Sequence, residues 1–172
     1  RILDLGTGTG AIALALASEL SSICQKQQIS LEIIGVDLMP DVVALAQSNA
    51  ERNNLNVQFL QSSWFENITG QFDLIVSNPP YIDAQDEHLG QGDVRFEPLS
   101  ALVANDAGYA DLRHIIELAS SYLNSNGALL LEHGWQQGEK VRSIFQENHW
   151  EMVETVRDYG DNERVTLGFW KK

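Results

Sequence analysis

The sequence predicts an α/β fold, a doubly wound and mostly parallel seven-stranded sheet, in one domain that spans residues 1–172. Three observations predict it. Short apolar runs alternate with stretches of helical periodicity along the chain, which is the pattern of β-α-β units. Two of these runs, 31–36 and 127–132, are short and mainly apolar, as buried parallel strands are. A chain of 172 residues with 44% hydrophobic residues can also bury the hydrophobic core that one such α/β domain needs.

Each element follows from a local signal in the sequence. The predicted strands are 2–5, 31–36, 57–60, 72–76, 127–132, 151–156 and 164–169. The predicted helices are 10–22, 40–53, 108–123 and 136–147. Pro40 suits the first turn of a helix, Asp41 adds negative charge there, and residues 124–127 are expected to end the third helix. Residues 82–104 show no periodicity, and a loop of that length is usually functional, so we expect it to lie over the active site.

Composition and charge argue against several classes of protein. No apolar run approaches the roughly 20 residues that cross a bilayer, so no membrane partner is expected. The single cysteine, Cys24, cannot form an internal disulfide, and no Cys/His spacing resembles a metal site, which favours a reducing cytoplasm. The net charge of −13 argues against direct nucleic-acid binding, which needs clustered Lys and Arg. Arg1 stands one residue ahead of the first predicted strand, so we expect the chain to be a piece of a longer protein.

A glycine-rich turn, Gly6-Thr7-Gly8-Thr9-Gly10, follows the first predicted strand. Glycines let the backbone turn tightly and approach a ligand closely, because no Cβ is in the way. Ligands of open α/β sheets bind outside the carboxyl ends of the strands, so the turn is expected to face a cofactor. Asp37 ends the second strand, where its carboxylate would accept from ribose hydroxyls or cap the helix that begins near Pro40. Trp64 would be either a wall for an adenine ring or part of the core.

The four residues Asn78-Pro79-Pro80-Tyr81 directly follow the apolar run 72–76 and carry the strongest signal. Each proline disfavours helical geometry in the residue before it, so Asn78 and Pro79 are expected to be extended. The side-chain oxygen of Asn78 and the carbonyl of Pro79 can then point into one small space that offers only acceptors. Such a space suits a flat, neutral NH2 group with Tyr81 stacked on it. The alternative is a rigid turn with Asn78 bonding locally.

These residue types fit methyl transfer to an amide nitrogen. The lone pair of an amide is conjugated, as the roughly 18–20 kcal/mol rotation barrier of a peptide bond shows. Two acceptors on the NH2 hydrogens favour the positive charge that develops on nitrogen as a methyl group arrives. Orientation can supply up to roughly 7–11 kcal/mol in well-aligned systems, so positioning is expected to carry most of the catalysis. No general base is needed before attack, because the proton can leave afterwards. The predicted catalytic residues are Asn78, Pro79 and Tyr81.

The runs Asp4-Leu5-Gly6-Thr7-Gly8-Thr9-Gly10 and Asn78-Pro79-Pro80-Tyr81 resemble those of the class I S-adenosylmethionine-dependent methyltransferases. More narrowly, the chain resembles the PrmC/HemK enzymes, which methylate the glutamine of the Gly-Gly-Gln loop in peptide chain release factors. The likeness covers essentially the whole chain and includes 92–98, 132–138 and 159–164. It implies a Rossmann-like methyltransferase fold, with S-adenosyl-L-methionine as the cofactor and S-adenosyl-L-homocysteine as its product.

The resemblance also implies roles for individual residues. The implied cofactor-binding residues are Gly6, Thr7, Gly8, Thr9, Gly10, Asp37, Trp64 and Asn78. The implied substrate-binding residues are Asn78, Pro79, Pro80 and Tyr81. The partner would be a release factor, bound by a monomeric enzyme. Glu97, Glu132 and Arg164 would form a polar framework around the 82–104 loop, or would simply be solvated surface charges.

Two features depart from the family pattern. A small N-terminal helical domain that docks the release factor is expected of such proteins and is absent from this chain. Ser63 stands where relatives often carry an acid near the adenine, which weakens the expectation of that contact.

Other functions fit part of the sequence. The same Asn-Pro-Pro-Tyr chemistry serves methylation of adenine or cytosine amino groups, and a related glutamine methyltransferase acts on a ribosomal protein. The run Gly6-x-Gly8-x-x-Ala11 also matches a dinucleotide fingerprint, but a nicotinamide oxidoreductase would leave Pro79 and Pro80 unexplained. A non-catalytic binding module is the remaining alternative.

Overall fold

The computed structural model describes residues 1–83, 103–104 and 108–172. Within these ranges the strands are β1 (Ile2–Leu5), β2 (Ile33–Asp37), β3 (Gln58–Gln61), β4 (Phe72–Ser77), β5 (Ile82–Asp83), β6 (Val103–Ala104), β7 (Leu123–Glu132), β8 (Glu151–Arg157) and β9 (Glu163–Trp170). The helices are α1 (Ala11–Gln27), α2 (Pro40–Asn53), α3 (Ala110–Ala119) and α4 (Gly138–Glu147). Most of the predicted covering loop, including Glu97, lies outside the described residues. The two ends of that loop, β5 and β6, pair with each other in parallel.

Seven strands form one sheet in the order β3-β2-β1-β4-β7-β9-β8. Strands β1 to β4 and β7 are parallel, whereas β9 runs antiparallel to both β7 and β8. The strand order reverses between β1 and β4, which is where ligands bind in doubly wound sheets. The predicted doubly wound, mostly parallel sheet is confirmed, and its first and fourth strands are neighbours as the predicted site requires.

Two apolar clusters hold the helices against the sheet. The first joins α1 and α2 to the sheet through small residues such as Ala13 and Ala46, together with Ile2 of β1. The second contains Leu3 and Leu5 of β1, because successive residues of a strand point to opposite faces. From α3 and α4 this second cluster takes Leu112, Ile115, Ile116, Val141, Ile144 and Phe145. No helix in the described ranges is long and apolar enough to span a bilayer.

Two helices end several residues away from their predicted ends, and the other helix boundaries lie within two residues of the predicted ones. Helix α1 continues to Gln27 instead of ending at residue 22. Ser21, next to the predicted end, directs its hydroxyl to the carbonyl of Ala17 one turn earlier, and the backbone stays helical. Helix α3 ends at Ala119, earlier than predicted, and a short 3-10 turn over Ser120–Tyr122 follows it.

The residues predicted to end the third helix instead lie inside a strand. Strand β7 begins at Leu123, which pairs with Phe72, and the next pair joins Ala128 to Leu74. The extra residues of β7 form a bulge in which Asn126 has a φ of 64°. Asn tolerates this left-handed conformation well, so the turn-forming residues serve a bulge here and not a helix end.

Candidate active site

The ends of β1 and β4 bring the two predicted halves of the site together. Leu5 pairs with Ser77 in the parallel ladder, so Gly6 and Asn78 leave the sheet side by side. The hydroxyl of Ser77 donates to the carbonyl of Leu5 over 2.7 Å and holds the two strand ends together. The glycine loop (residues 6–10) and the Asn-Pro-Pro-Tyr segment (residues 78–81) therefore begin at adjacent points on one edge of the sheet.

The glycine loop is a tight turn of left-handed backbone. Gly6, Gly8 and Gly10 have φ values of 65°, 56° and 83°, which residues with a Cβ rarely adopt. A Cβ on Gly10 would lie 2.9 Å from the ring of Phe59, whereas one on Gly8 would meet nothing within 4 Å. Gly10 is thus required by packing inside the protein. Gly8 faces open space, which leaves its backbone accessible to a ligand.

Asp4 is a fully buried carboxylate beneath the glycine loop. Its Oδ2 accepts from the hydroxyl of Thr7 over 2.6 Å and from the amide of Ala13 over 3.2 Å, so it joins the loop to the first turn of α1. Its Oδ1 has no hydrogen-bond partner in the described part of the chain. Burial raises the pKa of Asp4 to about 6, against the lowering effect of the bonds from Thr7 and Ala13. The sequence reasoning gave Asp4 no role, although an acid inside an apolar strand was a signal for one.

Asp37 stands at the last position of β2, where the sequence placed it. Its Oδ2 accepts from the amide of Gly8 over 3.0 Å and its Oδ1 accepts from the amide of Met39 over 3.1 Å. Helix α2 has Met39 as its N-cap residue without a side-chain bond, so the alternative role of Asp37 as that N-cap is wrong. Each carboxylate oxygen can accept about two hydrogen bonds, so both retain a lone pair for a ligand beside the glycine loop.

Trp64 forms a wall next to the glycine loop. A Cβ built on Gly6 would lie 3.5 Å from the Trp64 ring, so the indole packs on the loop backbone. The residue is partly buried against the larger core cluster and has a φ of 47°, an uncommon conformation for a bulky side chain. Ser62 supports this backbone by donating to the carbonyl of Trp64 over 2.9 Å and accepting from the amide of Asn67 over 3.0 Å. Trp64 therefore serves both the core and the edge of the site.

An open cleft of about 490 Å³ lies between the turn that carries Trp64 and helix α3. Ser63, Glu66, Asp111 and His114 contribute polar groups to its lining. Burial raises the pKa of Asp111, while His114 and a hydrogen-bonding contact with the Trp64 side chain lower it. Ser63 thus shares its cleft with two carboxylates, so acidic groups are near this turn even though position 63 has none.

The Asn-Pro-Pro-Tyr segment presents its asparagine outward. Asn78 is exposed and Pro79 is buried. Among the described residues, no hydrogen bond involves the Asn78 side chain, so the local bond of the rigid-turn alternative is not formed there. The side-chain oxygen of Asn78 is available to an incoming group at the strand end.

Tyr81 is held at both of its ends, by the last residue of β7 and by a residue that follows that strand. Its hydroxyl donates to Oε1 of Glu132 over 3.4 Å, and its carbonyl accepts from Nε2 of Gln137 over 3.0 Å. Burial raises the pKa of Tyr81, and repulsion from Glu132 adds to that effect while Arg164 opposes it. The phenol is therefore neutral at physiological pH. The sequence reasoning gave Gln137 no role, because its contact with Tyr81 spans 56 positions of the chain.

Behind Tyr81 lies part of the predicted polar framework. Burial raises the pKa of Glu132, whereas Arg164 and the bond from Tyr81 lower it. Arg164 donates to Oδ2 of Asp158 through Nε over 3.2 Å and through Nη2 over 3.1 Å. Two of the three predicted members, Glu132 and Arg164, are thus close enough to interact electrostatically, and Arg164 also pairs with Asp158.

Residues 1–166 match a family model described as a methyltransferase domain. A release factor glutamine methyltransferase of Haemophilus influenzae is 91% identical over 172 residues, and the match covers 100% of this chain and 59% of that protein. The protein of the same name from Escherichia coli is 64% identical over 170 residues, covering 98% of this chain and 58% of its own length. The chain therefore spans a little under three fifths of the curated relatives it matches.

Solved structures share the fold at low sequence identity. A methyltransferase from Pyrococcus furiosus superposes with a TM-score of 0.68 at 19% identity, covering 99% of this chain and 75% of that chain. The Thermus thermophilus 16S rRNA N2 G1207 methyltransferase, solved with AdoMet and guanosine, superposes with a TM-score of 0.68 at 23% identity, covering 99% of this chain and 37% of that chain. These likenesses confirm the Rossmann-like fold alone. The match of the family model over residues 1–166 shows more: the chain belongs to the methyltransferase domain family.

Proposed function

We propose that this chain is the catalytic domain of a peptide chain release factor glutamine methyltransferase. It would transfer a methyl group from S-adenosylmethionine to the side-chain amide nitrogen of the glutamine in the Gly-Gly-Gln loop. The observation that carries the proposal is the pairing of Leu5 with Ser77, which starts the glycine loop and the Asn-Pro-Pro-Tyr segment side by side. The names of the relatives that are 91% and 64% identical support the same substrate.

The residues around the glycine loop fit S-adenosylmethionine. Gly8 faces open space, Asp37 keeps acceptor capacity at the end of β2, and Trp64 offers an aromatic wall beside Gly6. The orphaned Oδ1 of Asp4 is a further buried acceptor below the loop. When bound, the cofactor supplies an electrophilic methyl group on a sulfonium centre.

The Asn-Pro-Pro-Tyr segment would bind and orient the amide. Prolines give this segment no backbone N–H at positions 79 and 80, so its main chain offers acceptors to an NH2 group. The oxygen of Asn78 and the carbonyl of Pro79 accept the two amide hydrogens and stabilise the positive charge that develops on nitrogen during transfer. Tyr81, neutral and held at both ends, covers one face of the amide. The surplus proton leaves nitrogen after transfer, so no residue is needed as a base before it.

The setting that we propose is a monomer in a reducing cytoplasm, with a protein as its partner. Cys24 is free, which fits a reducing compartment. The net charge of −13 opposes binding to a phosphate backbone, because that mode of binding depends on neutralising phosphates with basic residues.

Methyl transfer to defined substrates tests the proposal. The purified protein is incubated with methyl-labelled S-adenosylmethionine and with release factor, a large-subunit ribosomal protein, DNA or RNA. We expect label in release factor, located by mass spectrometry on the glutamine of its Gly-Gly-Gln loop. The matched control is a release factor in which that glutamine is replaced by asparagine. Label in nucleic acid or ribosomal protein, with none in release factor, would refute the proposal.

A further inference from the structure

Gln137 has an unusual position for a side chain outside the substrate segment. It is the N-cap residue of α4 and is only 9% exposed. Its Oε1 accepts from the amide of Gly134 over 2.8 Å, and its Nε2 donates to the carbonyl of Tyr81 over 3.0 Å. One amide side chain therefore connects the turn after β7 with the last residue of the Asn-Pro-Pro-Tyr segment.

The chemistry of these two contacts leaves no freedom in the orientation of the side chain. Gly134 contributes an N–H and Tyr81 a carbonyl, so the amide oxygen of Gln137 must face Gly134 and its NH2 must face Tyr81. A flipped amide would place the NH2 of Gln137 against the N–H of Gly134 and its oxygen against the carbonyl of Tyr81. Only a neutral side chain of this length with one donor and one acceptor satisfies both partners.

The carbonyl of Tyr81 is closely enclosed on another side by Gly108. A Cβ built on Gly108, whose φ is 84°, would clash with this carbonyl oxygen and lie 3.0 Å from Nε2 of Gln137. The space around the carbonyl is thus filled by Gly108 and Gln137. Without the Gln137 donor, this part-buried acceptor loses its bond and the constraint on the backbone after Pro80 is lost.

We propose that Gln137 is a positioning residue: its donor fixes the backbone of Tyr81, and through it the direction in which the Asn-Pro-Pro-Tyr segment presents its acceptors to the substrate amide. This inference rests on the proposed function, since it gives Gln137 a role in aligning the substrate amide for methyl transfer. Glu132 holds the hydroxyl end of the same tyrosine, but over the longer distance of 3.4 Å. The main-chain contact made by Gln137 is therefore the stronger constraint.

The test compares Gln137→Glu with Gln136→Glu. Both variants make the same change of charge at neighbouring positions, but Gln136 is exposed and makes no hydrogen bond among the described residues. An ionised glutamate at position 137 offers only acceptors, so it cannot bond to the Tyr81 carbonyl and is repelled by it. Protonated, it regains a donor for Tyr81 and an acceptor for Gly134. Its buried position raises the pKa of such a carboxyl above the ordinary value, so protonation occurs within a workable pH range.

We expect kcat/KM of Gln137→Glu for release factor to fall by about 10- to 100-fold at pH 8, as small misplacements of reacting groups do. Its ratio to the wild type should recover as the pH is lowered, while the affinity for S-adenosylmethionine stays unchanged by calorimetry. The ratio for Gln136→Glu should stay near one at every pH. The charged and titratable groups near position 137 are Tyr81, Glu132, His133, Arg142, Glu163 and Arg164. These groups are present in the wild type and in both variants. Dividing the kcat/KM of a variant by that of the wild type at the same pH therefore cancels the effect of their own titration on activity.

Equal ratios for the two variants across the pH range would overturn the inference while leaving the proposed function intact. A wild type that does not methylate release factor would instead refute the proposed function. Should Gln137→Glu fail to fold, Gln137→Met supplies the second test, since it removes the donor without adding a charge. Its kcat/KM is expected to fall at every pH without recovery, and a wild-type value would overturn the inference.

Discussion

The two halves of the candidate site are built in different ways. The glycine loop is held by residues close to it in sequence: Asp4 bonds Thr7 and Ala13, three and nine positions away, and Asp37 bonds Gly8 over 29 positions. The Asn-Pro-Pro-Tyr segment is held from a distance. Tyr81 contacts Glu132 and Gln137, which follow it by 51 and 56 positions.

This difference separates binding of the cofactor from alignment of the substrate. The glycine loop is hydrogen-bonded by Asp4 and Asp37, two carboxylates of the first β-α-β unit, so its backbone is fixed mainly by groups of that unit. The Asn-Pro-Pro-Tyr segment leaves Asn78 exposed and is contacted by Glu132, at the end of the neighbouring strand β7, and by Gln137 beyond it. Substitutions in the first half should therefore change cofactor affinity or stability, and those in the second half should change turnover.

The strongest test of this separation is Asn78→Ala. Because the Asn78 side chain makes no hydrogen bond in the described structure, its removal should leave folding unchanged. Losing one preorganised group that stabilises the transition state costs about 10²- to 10³-fold in kcat, and we expect a loss of that size. Turnover with release factor measures it, and calorimetry should give a nearly unchanged affinity for S-adenosylmethionine. Near-normal turnover would remove Asn78 from the mechanism.

A second test concerns the buried carboxylate of the first half. The pKa of Asp4 is about 6 in the folded protein against an ordinary value of 3.8, so the folded state holds this proton more tightly than the unfolded state. Stability from this group is therefore full below about pH 4 and is lost as the pH rises through about 6. We expect the unfolding free energy of the wild type, relative to Asp4→Asn, to rise by about 2.5 kcal/mol as the pH falls from about 7 to about 4.

Denaturant unfolding at a series of pH values measures this difference. The control is Asp41→Asn, which removes an exposed carboxylate from the first turn of α2. A difference between wild type and Asp4→Asn that does not change with pH would show that Asp4 does not titrate as its burial requires.

The same difference between local and long-range contacts explains which features of the two halves could be predicted from the sequence. Periodicity predicted the order of strands and helices, and glycines at 6, 8 and 10 predicted a tight turn, because these signals lie within a few residues of the structure they form. The bulge at Asn126 was missed, since its turn-forming residues fit a helix end equally well until the partner strand is known. The support of Tyr81 by Gln137 was missed because nothing local to residue 137 indicates a partner 56 positions earlier.

A smaller effect is expected from Asp37→Ala. The variant removes the acceptors for Gly8 and Met39 and the proposed acceptors for the ribose hydroxyls. Hydrogen bonds to a charged group contribute about 1.5–3 kcal/mol, so cofactor affinity should fall by about 10- to 100-fold. At saturating S-adenosylmethionine, the turnover should approach that of the wild type. A large loss of kcat under that condition would contradict the separation of the two halves.

The smallest effect is expected from Tyr81→Phe, which removes the hydroxyl and keeps the ring. The hydroxyl lies 3.4 Å from Glu132, at the long end of hydrogen-bond distances, whereas the backbone bond from Gln137 is 3.0 Å. Phenylalanine keeps that backbone bond and the aromatic face, so kcat/KM should fall by less than about tenfold, in line with a net hydrogen-bond contribution of about 0.5–1.5 kcal/mol. Tyr81→Ala, which also removes the ring, should lose substantially more activity in the same assay. An equal loss of kcat/KM in Tyr81→Phe and Tyr81→Ala would show that the hydroxyl and its contact with Glu132 orient the segment. The residues that orient it would then be Glu132 and Arg164, and not Gln137.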